Sequence, residues 1–328
     1  MNYRDVFLLS LCSKVSVKLI QSVAWREITK ISYHSCIDLD RKCWFIRFTC
    51  KEGTIIEVIR TYLCEGGSKA VQISISDKNL GSRILSNRRP LVLFSGKNHS
   101  ESIAVILNQI DVLFGRNAQY TFTHNAYFLS CTNVPIVQSS FYCCDPIDAN
   151  DLDNHFELIP IQDFVQLSGS TIKGQIRFDS KLLKAKKLHI YVPEKTRKVV
   201  IRYFEGQKLF LFYVHITYDQ VRRVMKAWKK NKVFRNLDTL ELNGFFHEFS
   251  SVDDFQEELN VKQIPEQIAP QVFKSTMAAI APAQLIISKY IVKDDGTVAF
   301  LYISDRSVVL SVKKFTEEEM LERNSIDF

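Results

Sequence analysis

The chain has 328 residues, of which 46% are hydrophobic, and a formal net charge of +7. This length can fill one or two globular cores. No apolar run approaches the about 20 residues that cross a bilayer, so we expect no membrane insertion. The 43 Lys and Arg residues outnumber the 36 Asp and Glu residues only slightly and are spread along the chain, which argues against nucleic acid as a partner.

Residues 1–26 predict two short helices. Asp5 can cap the first helix. The second runs from Val15 to about Val23, with Leu19 midway at a spacing of four residues. The apolar side chains of the first helix are Val6, Phe7, Leu9 and Leu11. Each helix is too small to bury its own apolar face, so both must pack on something else.

A β-rich pattern follows. Residues 44–48 and 54–59 flank Lys51-Glu52-Gly53 and predict an antiparallel hairpin. Ser100 can cap a helix that ends near Gly115. The apolar stripe of this helix is Ile103, Ile106, Leu107, Ile110 and Leu113. Further strands are predicted at residues 70–76, 91–94, 119–122 and 126–130.

Residues 145–154 are the most acidic and turn-rich stretch, and they predict a long surface loop or a boundary. The aspartates there lack the ligand spacing of a calcium-binding loop. Beyond them, strands are predicted at residues 175–178, 187–192 and 199–204, with a short helical turn between the first two.

A strand–helix–strand unit follows at residues 208–245. Residues 209–216 are almost continuously apolar and predict a buried strand. Thr217 with Gln220 forms a capping-box pattern, and residues 237–242 alternate as a second strand does. The helix between them carries an apolar stripe of Val221, Val224, Met225 and Trp228. A helical connection of this length predicts a parallel crossover.

The last 80 residues combine a helix with an antiparallel meander. Ser250 or Ser251 can cap a helix over residues 252–259. Strands are predicted at residues 289–292, 297–303 and 307–312. Thr316 with Glu319 predicts the start of a terminal helix.

No catalytic motif is present. Phosphate-binding glycine loops, nucleophile elbows and zinc-protease signatures are missing, and the seven histidines are scattered. The eight cysteines include no Cys-x-x-Cys pair, so we expect free thiols and neither zinc nor a disulfide. The N-terminal apolar run is too short for a secretion signal, which favours the cytoplasm or nucleus. The sequence therefore predicts neither an enzyme nor a cofactor.

Two sets of motifs resemble one known family. Leu9-Ser10-Leu11-Cys12-Ser13-Lys14, followed by Leu19-Ile20 and Trp25, resembles the C-terminal half of an F-box. The later motifs, in order, are Ser170-Thr171-Ile172-Lys173-Gly174, the strand at residues 188–192, Lys226-Ala227-Trp228, the strand at residues 237–242 and Asp295-Gly296-Thr297. Together they resemble the nematode F-box proteins that carry a type-2 F-box-associated domain.

The resemblance implies a substrate-recognition subunit of an SCF-type cullin-RING ubiquitin ligase. Its F-box would bind a Skp-type adaptor and through it a cullin, and its associated domain would bind a protein substrate. The adaptor-binding residues it implies are Val6, Phe7, Leu9, Leu11 and Lys14. The basic side chains of Arg222, Lys226 and Lys229 are candidate target-binding residues.

The predicted adaptor-binding residues and the predicted target-binding residues each have an alternative interpretation. The apolar N-terminal residues could instead pack on the chain's own hairpin at residues 44–48, and the basic helix face could simply be solvated. The first half of the F-box, with its Leu-Pro pair, does not precede the motif, so we expect weaker adaptor binding than by a complete F-box. A binding module without ligase function is the alternative interpretation.

The predicted fold class is α+β, with mixed α/β character. A helical F-box remnant at residues 1–26 precedes a β-rich segment with one helix at residues 27–160. An F-box-associated domain at residues 161–328 follows. The β-rich body is expected to combine antiparallel hairpins with strand–helix–strand units of leucine-rich-repeat-like form.

Overall fold

The structure of the chain is a computed structural model. It describes residues 3–11, 13–22, 27–38, 41–63, 71–75, 78–84, 91–95, 99–114, 118–124, 136–142, 147–159, 161–168, 172–191, 194–246, 252–266, 268, 271–274, 284–304 and 307–322. The chain divides into two compact units, Met1–Ser170 and Thr171–Phe328. Helices and strands occur in both, which confirms the mixed α+β class. In the described residues, no helix combines the length and the apolar character needed to cross a membrane.

The first unit contains four helices and ten strands within the described residues. Its helices are α1 (Tyr3–Ser10), α2 (Lys14–Ser22), α3 (His99–Phe114) and α4 (Ala149–Leu158). Its strands are β1 (Ile28–Asp38), β2 (Arg41–Cys50), β3 (Ile55–Leu63), β4 (Val71–Ile75), β5 (Lys78–Ile84), β6 (Leu91–Ser95), β7 (Gln119–His124), β8 (Ile136–Tyr142), β9 (Ile147–Asp148) and β10 (Phe164–Ser168).

Nine of these strands form a mixed sheet in the order β10-β8-β7-β1-β2-β3-β6-β5-β4. The predicted hairpin is confirmed as the antiparallel pair β2–β3, and β1 adds antiparallel to β2. Gly53 occupies the turn with φ 84°, a backbone conformation that glycine adopts without strain. The predicted stripe of α3 is confirmed, because Ile103, Ile106 and Ile110 are buried.

Sequence reasoning missed or misread six elements of this unit. Residues 149–154, predicted as part of a surface loop or boundary, instead form α4 together with residues 155–158, and Asp148 caps this helix through a 2.8 Å hydrogen bond from the Asn150 amide. Leu152 and Phe156 are buried one turn apart, so this segment is an amphipathic helix despite its aspartates. Strands β1, β5, β8, β9 and β10 were not predicted. The strand predicted at residues 126–130 and the cap at Gly115 lie outside the described residues.

The second unit has four α-helices, one short 3-10 helix and ten strands within the described residues. Its helices are α5 (Glu194–Tyr203), α6 (Tyr218–Lys229), α7 (Val252–Leu259) and α8 (Glu317–Glu322), with the 3-10 helix at Lys181–Lys184. Its strands are β11 (Ile172–Lys173), β12 (Lys187–Tyr191), β13 (Lys208–Ile216), β14 (Thr239–Phe246), β15 (Lys262–Gln263), β16 (Gln271–Lys274), β17 (Gln284–Ile287), β18 (Lys289–Val292), β19 (Thr297–Ile303) and β20 (Ser307–Thr316).

Seven of these strands are ordered β15-β18-β19-β20-β14-β13-β12. The pairs β12–β13 and β13–β14 are parallel, and the pairs from β14 to β15 are antiparallel. The predicted parallel crossover and the predicted meander are both confirmed. Strands β16 and β17 form a separate antiparallel pair.

The strand predicted at residues 199–204 is wrong, because Glu194–Tyr203 is the helix α5. Thr196, Val199 and Val200 are buried at the i, i+3, i+4 spacing of a helix face. Two parallel strands need a crossover connection, and α5 provides the one between β12 and β13. Residues 175–178, also predicted as a strand, have no strand pairing.

Helix α6 agrees closely with its sequence pattern. Thr217 Oγ1 accepts a 3.2 Å hydrogen bond from the Gln220 amide, and the Gln220 side chain accepts one from the Thr217 amide. Val221, Met225 and Trp228 are buried, as the stripe predicted. Asn231, with φ 57°, ends the helix, and its amide donates to the Trp228 carbonyl.

Candidate functional site

Helix α1 packs on the body of the first unit. Val6 is 1% exposed and Phe7 is completely buried. The Tyr3 ring lies edge-on to Phe48 of β2 and to Phe114 of α3, with centroids 5.3 and 6.1 Å apart. These contacts give the apolar face of a marginal helix the partner it needs within the chain.

The structure therefore buries some of the predicted adaptor-binding residues and exposes others. Val6 and Phe7 belong to the core and offer no surface to a partner. Leu9, on the opposite face of α1, is 50% exposed, and Leu11 is partly buried. Lys14 begins α2, and its side chain lies outside the described part of the structure.

Three further apolar side chains are exposed on the neighbouring helices. Val15 and Leu19 of α2 are 65% and 64% exposed, and their spacing of four residues places them on one helix face. Val112 of α3 is 46% exposed, and its carbonyl accepts a 3.1 Å hydrogen bond from Gln21 Nε2 of α2. We call Leu9, Val15, Leu19 and Val112 the N-terminal apolar surface.

Polar contacts fix the helices that carry this surface. Ser10 Oγ donates to the Phe7 carbonyl at 2.6 Å and accepts a 3.2 Å hydrogen bond from Gln109 Nε2 of α3. Ser13 caps α2 by accepting a 3.0 Å hydrogen bond from the Ser16 amide. The sequence pattern identified Val15 and Leu19 as a stripe, and Val112 lies outside the apolar stripe predicted for α3, in agreement with its exposure.

The basic face of α6 is covered by α7. The Arg222 guanidinium pairs with Glu258 of α7 and with Asp219 of α6. Lys226 Nζ donates to Glu258 Oε2 at 2.5 Å, and Lys229 Nζ donates to the Leu259 carbonyl at 3.1 Å. The fold thus brings the three predicted target-binding residues together, and each contacts the chain's own helix.

Apolar contacts hold the same two helices together. Phe255 and Leu259 of α7 are 2% and 1% exposed, and the Phe255 ring lies edge-on to Tyr218 at 5.8 Å. The hydrogen bond from Lys226 and the charge of Arg222 hold the pKa of the Glu258 carboxyl below its usual value. Glu258 is therefore ionised at neutral pH and offsets part of the basic charge of α6.

The titratable groups of the described residues show no catalytic arrangement. Burial, with Arg47 and Lys30 nearby, lowers the pKa of His34 to about 4, and burial beside Lys187 lowers the pKa of His189 to about 4. The His34 ring stacks on Phe45 of β2, and the His189 ring lies tilted by 49° against Phe210 of β13. Among the described residues no cluster of His, Cys, Asp and Glu could hold a metal ion, and Cys43 and Cys50 are buried free thiols.

Comparisons of the chain with protein-family models, curated proteins and solved structures give no match. Function must therefore be argued from the residues and contacts themselves. Those contacts define an α+β protein with an exposed apolar surface on its N-terminal helices and a basic helix face covered by an acidic helix.

Proposed function

We propose that the chain is a substrate-recognition subunit of an SCF-type cullin-RING ubiquitin ligase. In this proposal the N-terminal helices bind a Skp-type adaptor, which links the chain to a cullin. The second unit, which corresponds to the F-box-associated domain, binds a protein target. The chain would act in the cytoplasm or nucleus and would need neither a metal nor a cofactor.

The observation that carries the proposal is the N-terminal apolar surface. Its four side chains are between 46% and 65% exposed, although they lie on helices that are otherwise packed. Apolar exposure on otherwise packed helices is typical of helices that bind a partner through an apolar face. Leu9 and Leu19 also lie within the sequence that resembles an F-box.

A receptor of this class makes and breaks no covalent bonds. It raises the effective concentration of a target lysine beside a ubiquitin-loaded enzyme. That role requires two independent binding surfaces, and the two compact units can carry one each.

The alternative is a protein-binding module without ligase function. The burial of Val6 and Phe7 favours it, because these side chains are used by the chain's own core. Adaptor binding would then depend on a smaller apolar area, and affinity falls as buried apolar area is lost.

Reconstitution separates the two functions. The purified chain would be mixed with a Skp-type adaptor and the N-terminal domain of a cullin, and the mixture analysed by size-exclusion chromatography. The ligase proposal predicts a three-component peak that Leu9→Asp removes, while Leu158→Asp, at another exposed leucine of the first unit, leaves it unchanged. Elution of the native chain alone would contradict the proposal and favour the alternative.

A further inference from the structure

Two exposed aromatic side chains meet on the surface of the second unit. Phe178 is 69% exposed and Tyr203 is 36% exposed. Their ring centroids are 5.8 Å apart, and the rings are tilted by 47°. Such exposure costs free energy in water and is characteristic of side chains that anchor an interface.

The segments that carry the two rings are tied together. The Glu205 amide, just after α5, donates to the Leu183 carbonyl of the 3-10 helix at 2.9 Å. Gly206 fits so closely against this helix that an added Cβ would lie 1.9 Å from the Ala185 carbonyl oxygen. The two backbone segments are therefore fixed relative to each other before any partner arrives, which lowers the entropy cost of binding.

A second set of hydrogen bonds fixes the turn that carries Phe178. The Arg177 guanidinium donates two 3.0 Å hydrogen bonds to the carboxylate of Asp179, and the Ser180 amide donates to the Arg177 carbonyl at 3.2 Å. The Arg177 bonds hold the pKa of Asp179 below its usual value. Because Asp179 is paired, its charge is largely neutralised beside the aromatic rings.

Arg202 supplies an unneutralised charge at the same place. Its guanidinium lies 5.4 Å from the centroid of the Tyr203 ring, and no carboxylate of the described residues pairs with it. A guanidinium on an aromatic ring keeps its hydrogen-bond donors available for a carboxylate. Lys198, one turn earlier on α5, is also exposed.

We infer that Phe178, Arg202 and Tyr203 form a binding site for an acidic segment of a partner protein that presents an apolar side chain beside its carboxylates. We call these three residues the Phe178 cluster. The tilted rings receive the apolar side chain, and Arg202 pairs with an adjacent carboxylate. Single-stranded nucleic acid fits less well, since the two rings are tilted by 47° and do not offer parallel stacking faces.

This inference rests on the proposed function, because it gives the location and chemistry of target binding in the second unit. It also moves that location away from the α6 face, whose cations already contact α7. The cluster can be tested without an adaptor. Its failure would leave the ligase proposal standing, and failure of adaptor binding would leave the cluster standing.

The probe is a display library of random 12-residue peptides selected on the full chain, followed by fluorescence anisotropy with the best synthetic peptide. We expect enrichment of Asp or Glu next to large apolar residues. Phe178→Ser and Arg202→Glu should each weaken binding about tenfold or more, the effect of losing an interface anchor. Phe178→Tyr, which keeps the ring, should retain binding.

Matched controls are available in the same unit. Val272→Ser removes another exposed apolar side chain, and Lys230→Glu reverses another exposed charge, so both should bind the peptide normally. No enrichment, enrichment of non-acidic peptides, or equal binding by the cluster variants would overturn the inference. Binding of a 15-nucleotide oligodeoxythymidine that the same variants abolish would overturn it in favour of nucleic acid.

Discussion

Lys226 and Glu258 are joined by a 2.5 Å hydrogen bond between Nζ and Oε2, across 32 residues of sequence. The bond links the basic face of α6 to α7, which Phe255 anchors in the apolar core. An acidic helix thus occupies the surface where the sequence suggested a target. Because Arg222 and Lys226 already pair with Glu258, a target would have to compete with this carboxylate for them.

The first prediction concerns what holds α7 in place. Phe255→Ala should cost about 3 to 5 kcal/mol, because a fully buried ring is removed. Glu258→Gln should change the free energy of unfolding far less, since its ion pairs with Arg222 and Lys226 are exposed to solvent and screened. Urea denaturation of both variants measures the difference. A larger loss for Glu258→Gln would mean that charge pairing, and not apolar packing, attaches this helix.

The second prediction concerns the buried face of α6. Trp228 is 1% exposed, and Lys293 Nζ lies 5.6 Å from its ring. Trp228→Ala should cost about 3 to 5 kcal/mol. Lys230→Ala, at an exposed position two residues later, should cost less than about 0.5 kcal/mol. Chemical denaturation compares them, and equal losses would contradict the assigned helix face.

These two helices show what the sequence could and could not reveal. The α6 pattern is local, since Thr217, Gln220 and the stripe ending at Trp228 determine both the start and the buried face. The contact between Arg222 and Glu258 is not local, because it depends on how α7 returns to the sheet. A charged stripe has the same sequence signature whether water or another helix covers it.

The misread helices have an equally physical explanation. The β-branched run at residues 199–201 favours a strand, yet parallel pairing of β12 with β13 requires a connecting helix there. In α4 the aspartates and asparagines are typical of turns, but Asp148 serves as the cap and Leu152 and Phe156 face the core. Tertiary packing overrode local propensity in both cases.

The third prediction concerns the close approach of Gly206 to Ala185. Gly206→Ala would place a methyl group against the Ala185 carbonyl and the Phe204 ring, so we expect a loss of about 3 kcal/mol. Gly53→Ala is the control, because its φ of +84° is strained for alanine but no atom lies within 4 Å. It should cost about 1 to 2 kcal/mol. Thermal and chemical unfolding measure both, and a smaller loss at Gly206 would contradict the packing described.

The fourth prediction is a pH dependence. Burial lowers the pKa values of His34 and His189 to about 4, from 6.5 in an unfolded chain. Since the unfolded state binds protons more tightly at these sites, stability is unaffected above pH 6.5 and falls as the pH drops towards 4. The double variant His34→Gln and His189→Gln should lose part of this slope between pH 7 and 5. An unchanged slope in chemical denaturation would contradict the assignment.

The most direct test of the ligase account is the affinity of the chain for a purified Skp-type adaptor, measured by isothermal titration calorimetry. Leu9→Asp and Leu19→Asp each replace an exposed leucine of the N-terminal apolar surface, whereas Leu158→Asp alters an exposed leucine outside it. Burial of one leucine contributes about 1.5 to 3 kcal/mol, so each of the first two changes should weaken binding about 10-fold to 100-fold. Leu158→Asp should leave the affinity unchanged. Adaptor binding that survives both aspartates, or no binding by the native chain, would contradict the account.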